Sequence, residues 1–498
     1  MLDTGKDNQN SFKENIMITD DKIIQRGDSV LAFKAGFWYT MSSFLGKAIT
    51  LITTPIFARL MTVSEYGEFT NFAQWAVTIL IFTGLELPQT LSKAYYDFKT
   101  EYDNYISTIT IFGCGITMLV YVFFLLFPGT IFKLVSIPGQ YVHLLFVFVT
   151  FTFCQNVFNA RERTLYRYKR VAEITFVGLF FPTLISILLV YLLPNTNHLS
   201  ARLYGFYIPY SLIGMYCALK LFKKGTVFRL RYCRYAVSLS IPLLFHSLAA
   251  YLLNSTNIMI TKGIMGSGAA AIVSIATSTT HIFTVFSLSV SGALTTWLMD
   301  NLELKKVTVI RSGTLYYVGI LAFIVIFSIL FGPEIIYFFG GEKYAASLGL
   351  LPAFLFAAFV QSVTAVFIII LTYDKSVIKT AVYTGILSVI CVAAKIMLLQ
   401  NHELIVLAYV NIVVFGILFF INYFLVKNVG YADVINFKGV LSIILLTAVF
   451  TVGVPFIYED TVFRYSLIIV LLMLIIVVAN KNQKKIIEFA NRIKKRSN

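Results

Sequence analysis

Residues 33–61 read FKAGFWYTMSSFLGKAITLITTPIFARLM. Between Lys34 and Arg59 the only charge is Lys47, and the run is longer than the ~20 mostly apolar residues that a helix needs to cross a bilayer core. Its polar residues are ordered. Thr40, Ser43, Lys47, Thr50 and Thr54 advance by three or four positions at each step, which puts them on one helical face. A charge at the bilayer centre costs about 2.5–3.5 kcal/mol on insertion scales. The economical arrangement turns such a stripe toward a water-accessible cavity rather than toward lipid.

Outward from this run the same reading repeats. Further apolar stretches begin near Gly67, Tyr105, Tyr141, Ala172, Ala201, Ala236, Gly268, Ser312, Ala345, Ser376, Glu403, Phe437 and Phe463, which predicts an all-α integral membrane protein of about fourteen transmembrane helices. Of the 498 residues, 58% are hydrophobic and 13% charged, far from the about 45–50% and 25% of soluble domains. That composition excludes a disordered chain, a soluble enzyme and an ordinary secreted domain. The net charge of +16 argues for cytoplasmic loops rich in Lys and Arg, not for nucleic-acid binding.

The distribution of charge sets the orientation. With both termini cytoplasmic, 32 of the 40 basic residues fall inside and 6 outside, leaving Lys47 and Lys395 within spans. A missed helix would reverse this alternation, and no reversal occurs, so N-in/C-in is expected. The polar tail of residues 1–32 has no apolar signal-peptide core. The expected layout is then an N-lobe over 33–222, a basic linker at 223–235, a C-lobe over 236–426, two trailing helices in 427–480 and a basic tail at 481–498. No loop is long enough for an extramembrane domain. Five cysteines show no CxxC and no ligand spacing with His, so neither a metal, a cofactor nor a disulfide framework is expected.

Other spans carry polar stripes too. The eleventh aligns Thr380, Thr384, Ser388, Cys391 and Lys395; the seventh aligns His246, Asn254, Asn257 and Thr261; the eighth aligns Ser274, Thr277, His281 and Thr284. Glu86 is the one acid deep in a run, shared with Thr83 and Thr90, and span four has Gln155 and Asn159. Each has a plainer reading. Isolated hydroxyls serve helix packing, lone histidines are commonly hydrogen-bonded packing residues, and Lys395 is near enough to the outer end to snorkel. Arg59 and Lys262 stand at outer span ends, where interfacial anchoring competes with a cleft role. Glu86 is either an ion-coupling acid or a partner for a lysine. Ala58-Arg59-Leu60-Met61 before Glu65-Tyr66-Gly67 is similar in layout to Thr261-Lys262-Gly263-Ile264 before Gly268-Ala269-Ala270, a hint that spans one and seven begin two equivalent halves.

These same residues resemble a family. Pro55 to Thr62 with Glu65-Tyr66-Gly67 is similar to the ARLL…EYG signature of polysaccharide flippases. Phe331-Gly332-Pro333-Glu334-Ile335-Ile336 with Gly341-Glu342-Lys343-Tyr344 and Pro352 resembles their APEII…G-x-Y…P segment, and Ser240-Ile241-Pro242-Leu243, His246, Trp297 and Leu302-Glu303 fit the same pattern. The likeness covers most of the chain in order and points to a Wzx-type flippase of the multidrug/oligosaccharidyl-lipid/polysaccharide exporter superfamily. It departs at Asn257-Ile258, where many relatives carry Asp-Arg.

The resemblance implies two six-helix lobes around a central cleft, two trailing helices and alternating access, without enzymatic chemistry. Its substrate would be an oligosaccharide on a polyprenyl pyrophosphate, flipped across a bacterial cytoplasmic membrane for O-antigen, capsule or exopolysaccharide, with a polymerase and other glycan-assembly proteins as partners. Lys47 would meet the head group, helped by Arg59, Lys262 and Lys395, while Thr40, Ser43, Thr50, Thr54, His246, Asn254, Asn257, His281, Thr284 and Ser388 line the cleft. A cation-coupled drug exporter of the same superfamily is the nearest rival and would lean on cleft acids such as Glu86. A membrane glycan polymerase or ligase needs a large outer loop, which this chain lacks.

Overall fold

The computed structural model describes residues 16–19, 22–25, 29–193, 197–223 and 227–481, with side chains described from Trp38 onward except at 39–40, 42–45, 47, 130, 133–134 and 474–481. Near the start, β1 (Ile16–Thr19) and β2 (Lys22–Gln25) form an antiparallel hairpin with Ile16 opposite Gln25. Its isoleucines are β-branched and suit a strand. Every other long element is helical.

The chain divides into two compact units, Met1–Leu248 and Ala249–Asn498. The first holds α1 (Ser29–Leu60), α2 (Val63–Gly84), the short α3 (Leu91–Asp97), α4 (Tyr102–Leu126), the short α5 (Pro128–Val135), α6 (Val142–Thr164), α7 (Tyr168–Leu192) and α8 (His198–Phe222). Next comes α9 (Leu230–Ser255), and the second unit continues with α10 (Asn257–Met265), α11 (Ser267–Glu303), α12 (Val307–Leu330) and the short α13 (Gly332–Gly340). It closes with α14 (Leu351–Tyr373), α15 (Val377–Leu399), α16 (Val406–Asn428), α17 (Phe437–Gly453) and α18 (Thr461–Lys481). The division falls inside α9, not in the basic linker at 223–235. The reason is local. Arg229 donates to Glu101 at 2.7 Å, Tyr232 donates to the same carboxylate and Tyr235 donates to Asp97 at 2.5 Å, so the first turns of α9 are fastened to the loops around α3.

Ten of the described helices are long and apolar enough to cross a membrane: α4, α6, α7, α9, α11, α12 and α14 to α17. The other four runs read as spans are also helical, as α1, α2, α8 and α18. Polar residues thin the apolar signal in two of them: Glu65, Glu68, Asn71 and Gln74 in α2, and four tyrosines in α8. Within each unit one helix is central. The most apolar window is 67% buried in α6 and 72% buried in α14, against 22% in α11 and α15. Around α6, Tyr105, Phe153, Val157 and Tyr232 form a core with Leu87 and Leu91. In the second unit, Phe354 packs with Ile258, Val273, Leu399 and Leu407. Side chains such as Leu119, Ile378, Val389 and Val449 point outward and exposed, as helices embedded in lipid require.

Four helices end in the same way. After α6, Tyr166 N–H donates to Arg163 O and Arg167 N–H to Glu162 O. The pattern recurs after α11 (Lys305 to Leu302, Lys306 to Asn301), after α14 (Lys375 to Thr372, Ser376 to Leu371) and after α16 (Gly430 to Lys427, Tyr431 to Val426). These are Schellman turns, which satisfy the last orphan carbonyls of a helix through one left-handed residue. That residue is Tyr166, Lys305, Lys375 and Gly430 in turn, with φ of 54°, 52°, 62° and 86°. Only the last is glycine.

Candidate translocation site

In the first unit the polar stripe of α1 is partly in view. The side chains of Thr40, Ser43 and Lys47 lie outside the described residues. Thr50 and Thr54 spend their hydroxyl protons on their own helix, donating to Gly46 O at 3.1 Å and Thr50 O at 2.8 Å; each keeps acceptor lone pairs for a ligand. Arg59 stands exposed in the last turn of α1. Glu86 is not inside a helix. It follows the end of α2, with Leu85 and Glu86 both left-handed at φ 46° and 54°, and it is half-exposed. Two such residues in a row break the second run where the sequence suggested a continuous span.

Sequence reasoning assigned Arg202 and Glu162 to loops, and the structure buries both. Arg202, in the first turns of α8, is 6% exposed. Its guanidinium lies 3.6 Å from the Phe57 ring centre, 4.4 Å from Phe69 and 5.3 Å from Phe206, and donates to Ser186 Oγ at 2.9 Å. No carboxylate among the described residues pairs with it. Aromatic faces supply its stabilisation instead. Glu162, at the end of α6, is fully buried and surrounded by Arg161 at 3.0 Å and Arg167 and Arg170 at 3.7 Å. Arg161 also reaches Asp103 at 3.4 Å, tying α6 to α4 and α7. Along the same face of α6, Thr152 Oγ1, Gln155 Oε1 and Asn159 Oδ1 are buried without a hydrogen-bond partner among the described residues.

The candidates from α9 onward are placed differently from one another. His246, Asn254 and His281 are exposed and Thr284 is half-exposed. Asn254 donates to Ala250 O at 2.9 Å, and Thr284 to Thr280 O at 3.1 Å. Ser388 is buried and donates to Gly385 O at 2.7 Å. Asn257 is 3% exposed, with Oδ1 unpartnered among the described residues. Lys262 is 8% exposed and Lys395 is 0% exposed. Lys395 therefore does not snorkel, and in this conformation it does not face open space; Nζ donates to Leu253 O at 3.4 Å. Among the described residues no group of three or more His, Cys, Asp or Glu side chains could hold a metal.

The motif residues act as fasteners. Glu65 accepts from Thr62 N–H at 3.0 Å and Thr62 Oγ1 at 2.9 Å, while its own N–H donates to Thr62 Oγ1. This is a capping box. The other oxygen of Glu65 accepts from Leu199 N–H at 3.4 Å, so one carboxylate serves the starts of α2 and α8. Glu334 receives both terminal nitrogens of Arg464, at 2.6 and 2.8 Å, and Tyr465 Oη at 2.7 Å, binding α18 to α13. Gly341 sits at φ 72°, where a side chain would be strained.

The arrangement is thus helices pinned at their ends, with polar faces and few acids within them. Residues 32–300 match the family described as polysaccharide biosynthesis protein. The chain belongs to that family. No curated protein sequence matches it. Among solved structures it is similar to "Lipid II flippase MurJ, inward closed conformation", at 14% identity with a TM-score of 0.68, covering 90% of this chain and 99% of that one. It is also similar to an inward-facing multidrug resistance MATE family transporter of the MOP superfamily, at 17% identity and a TM-score of 0.58, over 77% and 95% of the two chains. At these identities the likeness is one of fold. The polysaccharide biosynthesis member described here has the fold of MOP-superfamily transporters and flippases.

Proposed function

We propose that this protein is a Wzx-type flippase, moving a polyprenyl-pyrophosphate-linked oligosaccharide across a bacterial cytoplasmic membrane by alternating access, with fourteen spans and both termini inside. The observation that carries this reading is the family match over residues 32–300, joined to a fold similar to that of a lipid II flippase. The charge balance suits it. A pyrophosphate moved through hydrocarbon without compensation would cost tens of kcal/mol by Born estimates, and the spans offer lysines in preference to acids. We assign the head-group contact to Lys47, aided by Arg59 and Lys262, and the sugar contacts to the hydroxyl and amide stripes of spans one, seven and eight. A glycan polymerase and other assembly proteins would act on the flipped product.

Deleting the gene should leave lipid-linked repeat units on the cytoplasmic leaflet; unpolymerised units on the outer leaflet would instead indicate a polymerase. In the complemented strain, Lys47→Gln should abolish glycan export while the protein inserts at normal abundance. Full export by that variant removes the cationic assignment. The MATE-like fold keeps a second reading, a cation-coupled exporter, within reach. Glu86→Gln separates the two: loss of drug resistance with intact glycan export would favour the exporter.

A further inference from the structure

Span seven is not one helix. α9 stops at Ser255 and α10 starts at Asn257. In a continuous helix the Leu253 carbonyl would accept from Asn257 N–H; at a helix start that donor is withdrawn. The broken turn then finds side-chain substitutes. Thr256 Oγ1 donates to Leu252 O at 2.9 Å, and Lys395 Nζ, from α15, donates to Leu253 O at 3.4 Å. Asn257, just past the break, keeps Oδ1 buried and without a partner among the described residues.

Lys395 has little else to do. It is fully buried, no ion pair to it exists among the described residues, and the neighbour on its own helix is the Cys391 thiol, which itself donates to Asn411 Oδ1 at 3.7 Å. The carbonyl end of a helix carries partial negative charge, which a cation offsets. Unwound carbonyls within membrane helices attract cations for the same reason.

We propose that Lys395 is a positioning residue: its ammonium replaces the backbone donor that the break takes from Leu253, and so fixes where α9 ends and α10 begins. Its contribution is a charged donor to the protein's own backbone, not a contact with the head group. Any consequence for transport rests on the flippase reading above. The structural claim does not.

The test uses the full-length protein in lipid nanodiscs and reads amide hydrogen exchange over residues 254–260, beside glycan export in cells. Lys395→Met, which fills the space without a donor, should raise exchange there about tenfold and leave other helices unchanged. Lys395→Ala should do the same, and ethylammonium chloride, unlike choline chloride, should restore protection by supplying a primary ammonium small enough for the vacated space. Lys395→Arg keeps a donor and should stay within about threefold of the parent, which also serves if neither neutral variant folds. Unchanged exchange in Lys395→Met overturns the proposal, as does lost export with normal exchange, which would return Lys395 to the substrate. Raised exchange in Lys395→Met beside a parent that moves no glycan would sink the flippase reading alone.

Discussion

Arg464 shows what a single buried cation can hold in this chain. Its side chain reaches the Leu330 carbonyl at 3.1 Å as well as Glu334, so one residue of α18 clamps the end of α12 and the start of α13. Burial opposes ionisation of Glu334, yet the hydrogen bonds from Tyr465 and Arg464 outweigh it and hold its carboxyl below the usual range. A carboxylate whose pKa is depressed by folding stabilises above its unfolded pKa, about 4.3, and loses that contribution as pH falls through the lower folded value. Glu334→Gln should therefore flatten the acid limb of the stability profile below about pH 4.5, read by thermal unfolding across pH. Removing the buried partner, as in Arg464→Ala, should cost more, about 2–4 kcal/mol, because it leaves the Leu330 carbonyl unmet and the carboxylate with Tyr465 alone.

Residues of this kind were only half legible. Glu65 and Glu334 stood out as parts of a family signature, but the sequence offered no sign that each serves as a fastener between elements. Arg202 was hidden altogether. A lone arginine at a span end reads as an interfacial anchor, and its aromatic partners come from α1, α2 and α8, brought together only by the fold.

At the scale of elements, close approach of helices is set by glycine. A Cβ at Gly214 in α8 would stand 2.4 Å from the Phe151 carbonyl oxygen of α6, and backbone cannot step aside as a side-chain tip can. Small residues at helix interfaces allow such contact in membranes, where packing rather than hydrophobicity drives association. Gly214→Ala should lower stability by about 1–3 kcal/mol through overpacking. Gly115 in α4 is the control, since a Cβ there meets nothing within 4 Å. Gly115→Ala should be neutral or stabilising by about 0.5–1 kcal/mol, and thermal unfolding of the two variants in one detergent gives the comparison. Apolar runs foretold where helices lie, because hydrocarbon admits almost no other backbone state. Their breaks were less legible: Gly84 and Pro88 flank Leu85–Glu86 and a proline commonly marks a bend, but nothing around Thr256 is glycine or proline.

For the whole molecule, the testable statement is orientation. With both termini inside, a single cysteine at Glu459, in the exposed loop before α18, should react with an impermeant maleimide on intact cells. A cysteine at Lys305 or Lys375 should react only after permeabilisation. Labelling of all three from outside, or none, would mean that a span has been miscounted. Bulk charge is the property of the sequence that bears on orientation, because a positive excess sorts loops to one side without regard to packing. The interior of each unit is less readable, since α14 is only as apolar as the helices around it and α6 is less apolar than α4 and α7, so burial alone marks them as central.

The four Schellman turns have a mechanical meaning. Each removes the freedom at a junction between consecutive long helices, so α6 with α7, α11 with α12, α14 with α15 and α16 with α17 behave as welded struts rather than hinged rods. A machine built from welded struts has few places left to bend. Two further breaks lie within spans, at Leu85–Glu86 and at Thr256, and a stroke of the protein can draw on joints of that kind.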